Sequence, residues 1–145
     1  MSAVQEKRVP VLASPLVAGG LAGLVGGLAF GAMMAAGGML PMVGMLVGQE
    51  NAAVGFIVHL AISVGLGAVY GMAAVRLPSG WPAAAVAGLV YGAIWWVLGA
   101  LVLMPLMLGM TGMVLVIGAP QWMSLLGHLV YGLLAALAFM RLRPR

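Results

Sequence analysis

Long apolar stretches interrupted at only three places define the chain. The interruptions are Gln49-Glu50-Asn51, the segment 76–82, and the turn Gly118-Ala119-Pro120-Gln121. They leave four apolar spans, near residues 16–40, 52–75, 83–106 and 121–140. A helix rises about 1.5 Å per residue and the hydrocarbon core is about 30 Å thick, so roughly 20 apolar residues cross it once. Each span suffices for one crossing and none for two. Alternation of polar and apolar positions is absent, and a membrane barrel needs at least about eight strands. Helices are therefore predicted, because they satisfy their own backbone groups where lipid offers no partner. The expected fold class is all-α, an integral membrane four-helix bundle. It forms a single membrane domain over residues 1–145, with short tails at 1–10 and 141–145.

Composition agrees with the pattern. Hydrophobic residues make up 65% of the chain and charged residues 6%, whereas a soluble domain carries roughly a quarter charged residues to face water. A soluble enzyme, a nucleic-acid binder and a disordered tail are excluded on this ground. The net charge of +4 is informative only once its members are placed. Lys7 and Arg8 precede the first span, Arg76 lies between the second and third, and Arg141, Arg143 and Arg145 follow the fourth. All six cations thus fall on one side, while Glu50 is the only charge on the other. By the positive-inside rule both termini and the middle loop are expected to be cytoplasmic. The basic balance reads as orientation, and no nucleic-acid partner is expected. Arg141 to Arg145 lie where anionic lipid headgroups would meet them. The first apolar run exceeds the roughly 7–15-residue core of a cleaved signal, so it is read as a retained helix. With no cysteine, disulfides, thiolate metal sites and cysteine catalysis drop out.

The spans are related in pairs. A shift of 65 places Gly23-Leu24-Val25 on Gly88-Leu89-Val90 and Gly27 on Gly92. It also places Met39, Met42, Gly44 and Met45 on Met104, Met107, Gly109 and Met110. The second copy then carries four extra residues within 111–118, after which a shift of 69 sets His59-Leu60 on His128-Leu129. Two helical hairpins, about 16–75 and 83–140, are therefore expected as parallel-topology repeats related by a pseudo-twofold axis along the membrane normal.

Small residues recur every fourth position, which places them on one helix face. The first span carries Gly19, Gly23, Gly27 and Gly31; the third carries Ala84, Gly88, Gly92, Trp96, Ala100 and Met104. The second carries Gly55, His59, Ser63, Gly67 and Gly71, and the fourth Ser124, His128, Gly132 and Ala136. Such stripes let backbones approach where lipid gives no hydrophobic drive for association. Because Gly31 corresponds to Trp96, the indole is expected to fill space near the first-span groove.

His59 and His128 are the candidate chemical residues. Each lies seven residues into its span, counted from Ala52 and Gln121, a depth of about 10 Å. Intramembrane ionisable groups are functional candidates by default. If the second and fourth spans face one another, the two imidazoles oppose each other. They could then be haem b or metal ligands, or else neutral side chains hydrogen-bonded within the bundle. Glycines beside them would leave room for a porphyrin, although no cation stands on that side to meet its propionates. The methionine runs Met39, Met42, Met45 and Met104, Met107, Met110, Met113 lie toward the same outer side and offer soft thioethers to a copper-like metal. Met39, Met42, Met104 and Met107 are the candidate ligands, and the runs also serve as ordinary packing residues. No carboxylate lies within a span, so paired acid–base catalysis is absent. Ser63 and Ser124 each lie one turn from a histidine but lack an elbow and a third orienting group. No catalytic residue is assigned.

The run Met104-Pro-Leu-Met-Leu-Gly-Met-Thr111, followed by Gly127-His128-Leu129-Val130, resembles small bacterial inner-membrane proteins of the YagU-like family. The similarity covers mainly the second hairpin. It implies a bacterial inner-membrane location and a histidine on the last span, and supplies neither substrate nor catalytic residues. The reading that follows is a non-enzymatic polytopic protein, a packing or accessory subunit with the lipid bilayer, other membrane subunits or its own copies as partners. A haem- or metal-binding redox protein is the alternative, and an oligomeric pore or small-solute transporter the third.

Overall fold

The computed structural model describes residues 14–143. Lys7, Arg8 and Arg145, the tail at 1–10 and the end of the C-terminal tail lie outside the described residues. Chain order is α1 (Pro15–Ala36), α2 (Leu40–Gly44), α3 (Ala52–Ala74), α4 (Trp81–Trp95), a π-helical segment Trp96–Leu103, α5 (Met104–Met107) and α6 (Ala119–Leu142). Single 3-10 turns occupy Met45–Val47 and Thr111–Met113. There is no strand among the described residues. Four helices, Pro15–Ala36, Ala52–Ala74, Trp81–Met107 and Ala119–Leu142, are long and apolar enough to cross a membrane.

Local chemistry sets the boundaries. Pro15, Pro41, Pro82, Pro105 and Pro120 each stand in the first turn of a helix, where a missing N–H costs nothing. Asn51 caps α3 as its position predicts, its side chain accepting from Ala53 N at 2.8 Å and Val54 N at 3.1 Å. The first span ends earlier than expected, at Ala36. Gly38 takes φ +66°, and the chain turns there so that α2 packs back against α3.

The packing departs from the expected arrangement in one respect. α3 and α6 touch only sparsely and do not face one another. Instead α1 packs along both, and α4 packs along α6. The helices thus follow the spatial order α3, α1, α6, α4, with α1 the most enclosed: half of its hydrophobic window is buried, against 22% for α3. The α1–α6 contact has no equally close counterpart between α4 and α3, which meet mainly through side chains. Tyr91 on α4 donates to the Leu66 carbonyl on α3 at 2.6 Å, and the Tyr70 and Tyr91 rings meet edge to face at 5.1 Å.

The small stripes are where backbones meet. A Cβ on Gly19 or Gly23 would collide with backbone atoms of Gly67 and Gly71, or of Ser63 and Gly67. One on Gly27 would strike Ser63, and one on Gly55 would strike the Leu40 carbonyl on α2. In the second hairpin, Gly88 and Gly92 meet the Gly132 and His128 carbonyls. The space beside Gly31 is filled by Phe56 and His59. Trp96 does not fill it; the indole donates to the Gln121 carbonyl at 2.9 Å and stacks on Trp122.

The third-span stripe also changes step. Ala84, Gly88, Gly92 and Trp96 are buried at four-residue spacing, but the next buried positions are Leu101 and Pro105, not Ala100 and Met104. The π segment accounts for the five-residue stride, because one extra residue in the helix turns the following face by about 100°.

Gly67→Ala is expected to cost about 1–3 kcal/mol or to prevent folding, as overpacking against backbone does. Gly65→Ala, with nothing within 4 Å of its added carbon, should leave stability unchanged. Reversible unfolding in detergent compares the two; equal effects would contradict the proposed contact.

Candidate functional site

His59 is buried, 7% exposed, on the face of α3 that packs on α1. Its Nε2 lies 2.9 Å from the Gly27 carbonyl, so that nitrogen carries the proton and donates. The close approach that Gly27 permits brings the α1 backbone within reach of this ring. His128 on α6 is partly buried, and its Nδ1 donates to the Ser124 carbonyl one turn earlier at 2.8 Å. The two imidazoles therefore hold opposite tautomers, each fixed by a backbone acceptor.

The histidines are not a facing pair. Phe30 of α1 is their shared neighbour, with ring centroids 5.2 Å from His59 and 4.8 Å from His128, both edge to face. The phenyl ring occupies the space beside Gly127, as Phe56 and His59 occupy the space beside Gly31. A planar cofactor held between the imidazoles would have to displace Phe30, so the glycines expected to leave room for a porphyrin are already covered. No group of three or more His, Cys, Asp or Glu able to hold a metal ion occurs among the described residues.

The serines serve the backbone. Ser63 donates to the His59 carbonyl at 2.8 Å, and its own carbonyl accepts from Tyr131 on α6 at 2.7 Å. The Ser124 hydroxyl lies 3.4 Å from His128 Nδ1, a long contact to a nitrogen already donating elsewhere. A chain of side-chain donors to helix carbonyls thus ties the bundle together. His59 reaches α1, Tyr131 and Tyr91 reach α3, and Trp96 reaches α6. Among the described residues no enclosed side-chain polar atom lacks a partner.

The methionines divide. Met39 packs against the buried cluster around Phe30 and Tyr131. Met107 is 67% exposed. Met42, Met104, Met110 and Met113 line one cavity. Phe30, Tyr91 and Tyr131 were missed. Phe30 had a signal, since Ala18, Ala22, Gly26 and Phe30 form a second four-residue stripe on α1, and all four are buried.

The chain matches no family model, no curated protein and no solved structure.

Tyr131→Phe should lower stability by about 0.6 kcal/mol, and by no more than about 1.7, as interhelical hydrogen bonds in membranes do. Nitrogen NMR of histidine-labelled protein should show the Nε2–H form for His59 and the Nδ1–H form for His128. A shared tautomer, or shifts typical of coordinated imidazole, would contradict the assignment.

Proposed function

We propose that this chain is a non-enzymatic membrane subunit that packs laterally against another transmembrane helix, from a partner subunit or a second copy. The observation that carries the reading is the open seam between α3 and α4. A groove of about 610 Å³ runs along it, with Ala73, Ala83 and Ala87 among its small lining residues and Val86, Val90 and Ile94 among its larger ones. Small residues are what helix–helix contacts in lipid require. Ala83 and Ala87 fall four apart, as on the stripes already used inside the bundle. Both histidines are engaged with backbone carbonyls, and no carboxylate lies within a span, which supports a role without catalysis.

The subunit is placed in a bacterial inner membrane with both termini cytoplasmic, on the strength of the one-sided cations and of the YagU-like resemblance. The two similar hairpins are read as a duplication of parallel topology. At the cytoplasmic end Arg141 lies over the Trp81 ring, 5.0 Å from its centroid. That contact joins α6 to the start of α4 at the level where headgroups begin.

A photo-crosslinking side chain at Val90, in the groove, should give one discrete protein adduct in cells. The same group at Ile57, which is 68% exposed, should give only lipid adducts. Lipid adducts at both positions, together with a lone monomer after gentle purification, would remove the subunit reading.

Orientation has its own test in a chain without native cysteine. Gln49→Cys should react with an impermeant maleimide added outside intact spheroplasts, and Ser79→Cys only after lysis. The reverse pattern would invert the topology.

A further inference from the structure

The loop between the third and fourth spans, four residues longer than its counterpart, borders a cavity to which four methionines contribute. Pro105 has no N–H, so the carbonyl four residues earlier loses its helical donor. That carbonyl, on Leu101, instead accepts from Leu115 N at 2.9 Å. Leu115 sits at φ +59°, the only non-glycine residue with positive φ among those described, a conformation costly for leucine. The loop is thereby strapped back over the end of the third span. Beneath the strap lies a cavity of about 90 Å³ lined by Met42 from α2, Met104 from α5, and Met110 and Met113 from the loop.

Three polar atoms at its border are already engaged. Leu101 O takes the Leu115 N–H, Gln121 Oε1 accepts from Gly118 N at 2.9 Å, and Gln121 O accepts from Trp96 Nε1. Four thioethers are the soft donors that the lining offers. They are neutral and soft, which selects Cu(I)-like ions and disfavours magnesium, calcium and other hard cations. No Lys or Arg occurs between residues 9 and 75 or between 77 and 140, so no fixed positive charge at this end repels an incoming cation. Met42, Met110 and Met113 are 47%, 40% and 39% exposed, which leaves the chamber accessible from outside.

We infer that Met42, Met104, Met110 and Met113 form a binding site for a soft monovalent cation of the Cu(I) class, at the end of the bundle opposite the Arg76 loop. The site is independent of the α3–α4 groove and uses neither histidine.

Silver(I), a redox-inert stand-in for Cu(I), is the probe, titrated into the full chain in detergent. The expected result is one ion per chain, displaced by Cu(I), with only sulfur neighbours by X-ray absorption. Met42→Leu, Met104→Leu, Met110→Leu and Met113→Leu should each weaken binding at least about tenfold. Met107→Leu and Met72→Leu should leave it unchanged. In unsubstituted protein carrying methyl-labelled methionine, silver should shift the resonances of those four residues alone, a readout that needs no variant to fold. The proposal is overturned by absence of stoichiometric binding, by nitrogen in the metal's shell, by shifts spread over all methionines, or by unchanged binding after all four substitutions.

Discussion

Backbone-to-backbone contact at glycine is the constraint on which this bundle depends. In water, helices adhere by hiding apolar surface; in lipid the surroundings are as apolar as the side chains, and that drive disappears. What remains is dispersion at short range and hydrogen bonds to helix carbonyls. Both require close approach. At Gly19, Gly23, Gly67 and Gly71 the helices come so near that even a methyl group would meet main-chain atoms. The same closeness brings His59 within 2.9 Å of the Gly27 carbonyl. The histidine that looks like chemistry from its position in a span is, in its hydrogen bonding, a product of the packing.

The helix α1 can stand at the centre because it has two faces of this kind. The stripe Gly19, Gly23, Gly27 and Gly31 meets α3. The stripe Ala18, Ala22, Gly26 and Phe30 turns toward α6, where Gly26 approaches the Tyr131 carbonyl and Phe30 covers Gly127. α6 is the other span with two long neighbours, α1 and α4. The unequal packing that results leaves α4 against α6 alone and opens the seam toward α3. Tyr91 bridges that seam with a side-chain bond instead of a backbone contact. A bundle that closes three of its helix–helix edges and leaves the fourth parted has one open side.

Much of this was legible from periodicity. Four-residue spacing in Gly55, His59, Ser63, Gly67 and Gly71 marked the contact face of α3, and those residues are buried. Periodicity identifies a face but not the helix that covers it, and α1 lies against both the second and the fourth spans. The second stripe of α1 was hidden because alanine and glycine occur on nearly every side of that helix. The change of stride in the third span was beyond reach for a different reason. A π segment arises from how Trp96 to Leu103 accommodate the helix before Pro105, and no residue spacing announces it. The methionines show the same limit. The matching runs offered seven methionines without separating them, whereas the fold packs Met39 partly buried against the core, leaves Met107 exposed, and gathers Met42, Met104, Met110 and Met113 around one cavity.

The two hairpins differ in the longer loop of the second, and the physical consequences are concentrated there. Pro41 begins the short α2, whose backbone rests on Gly55, so the outer end of the first hairpin is closed by packing. Pro105 follows a continuous helix and removes a donor from a carbonyl that the helix still presents. The longer loop answers by returning Leu115 to that carbonyl, in a conformation leucine avoids. A strained residue held by a single backbone bond persists only when its surroundings fix it. Here they fix it beside a cavity to which Met42, Met104, Met110 and Met113 contribute. Both hairpins thus close on glycine contacts, while the features that set them apart meet at one end of the bundle.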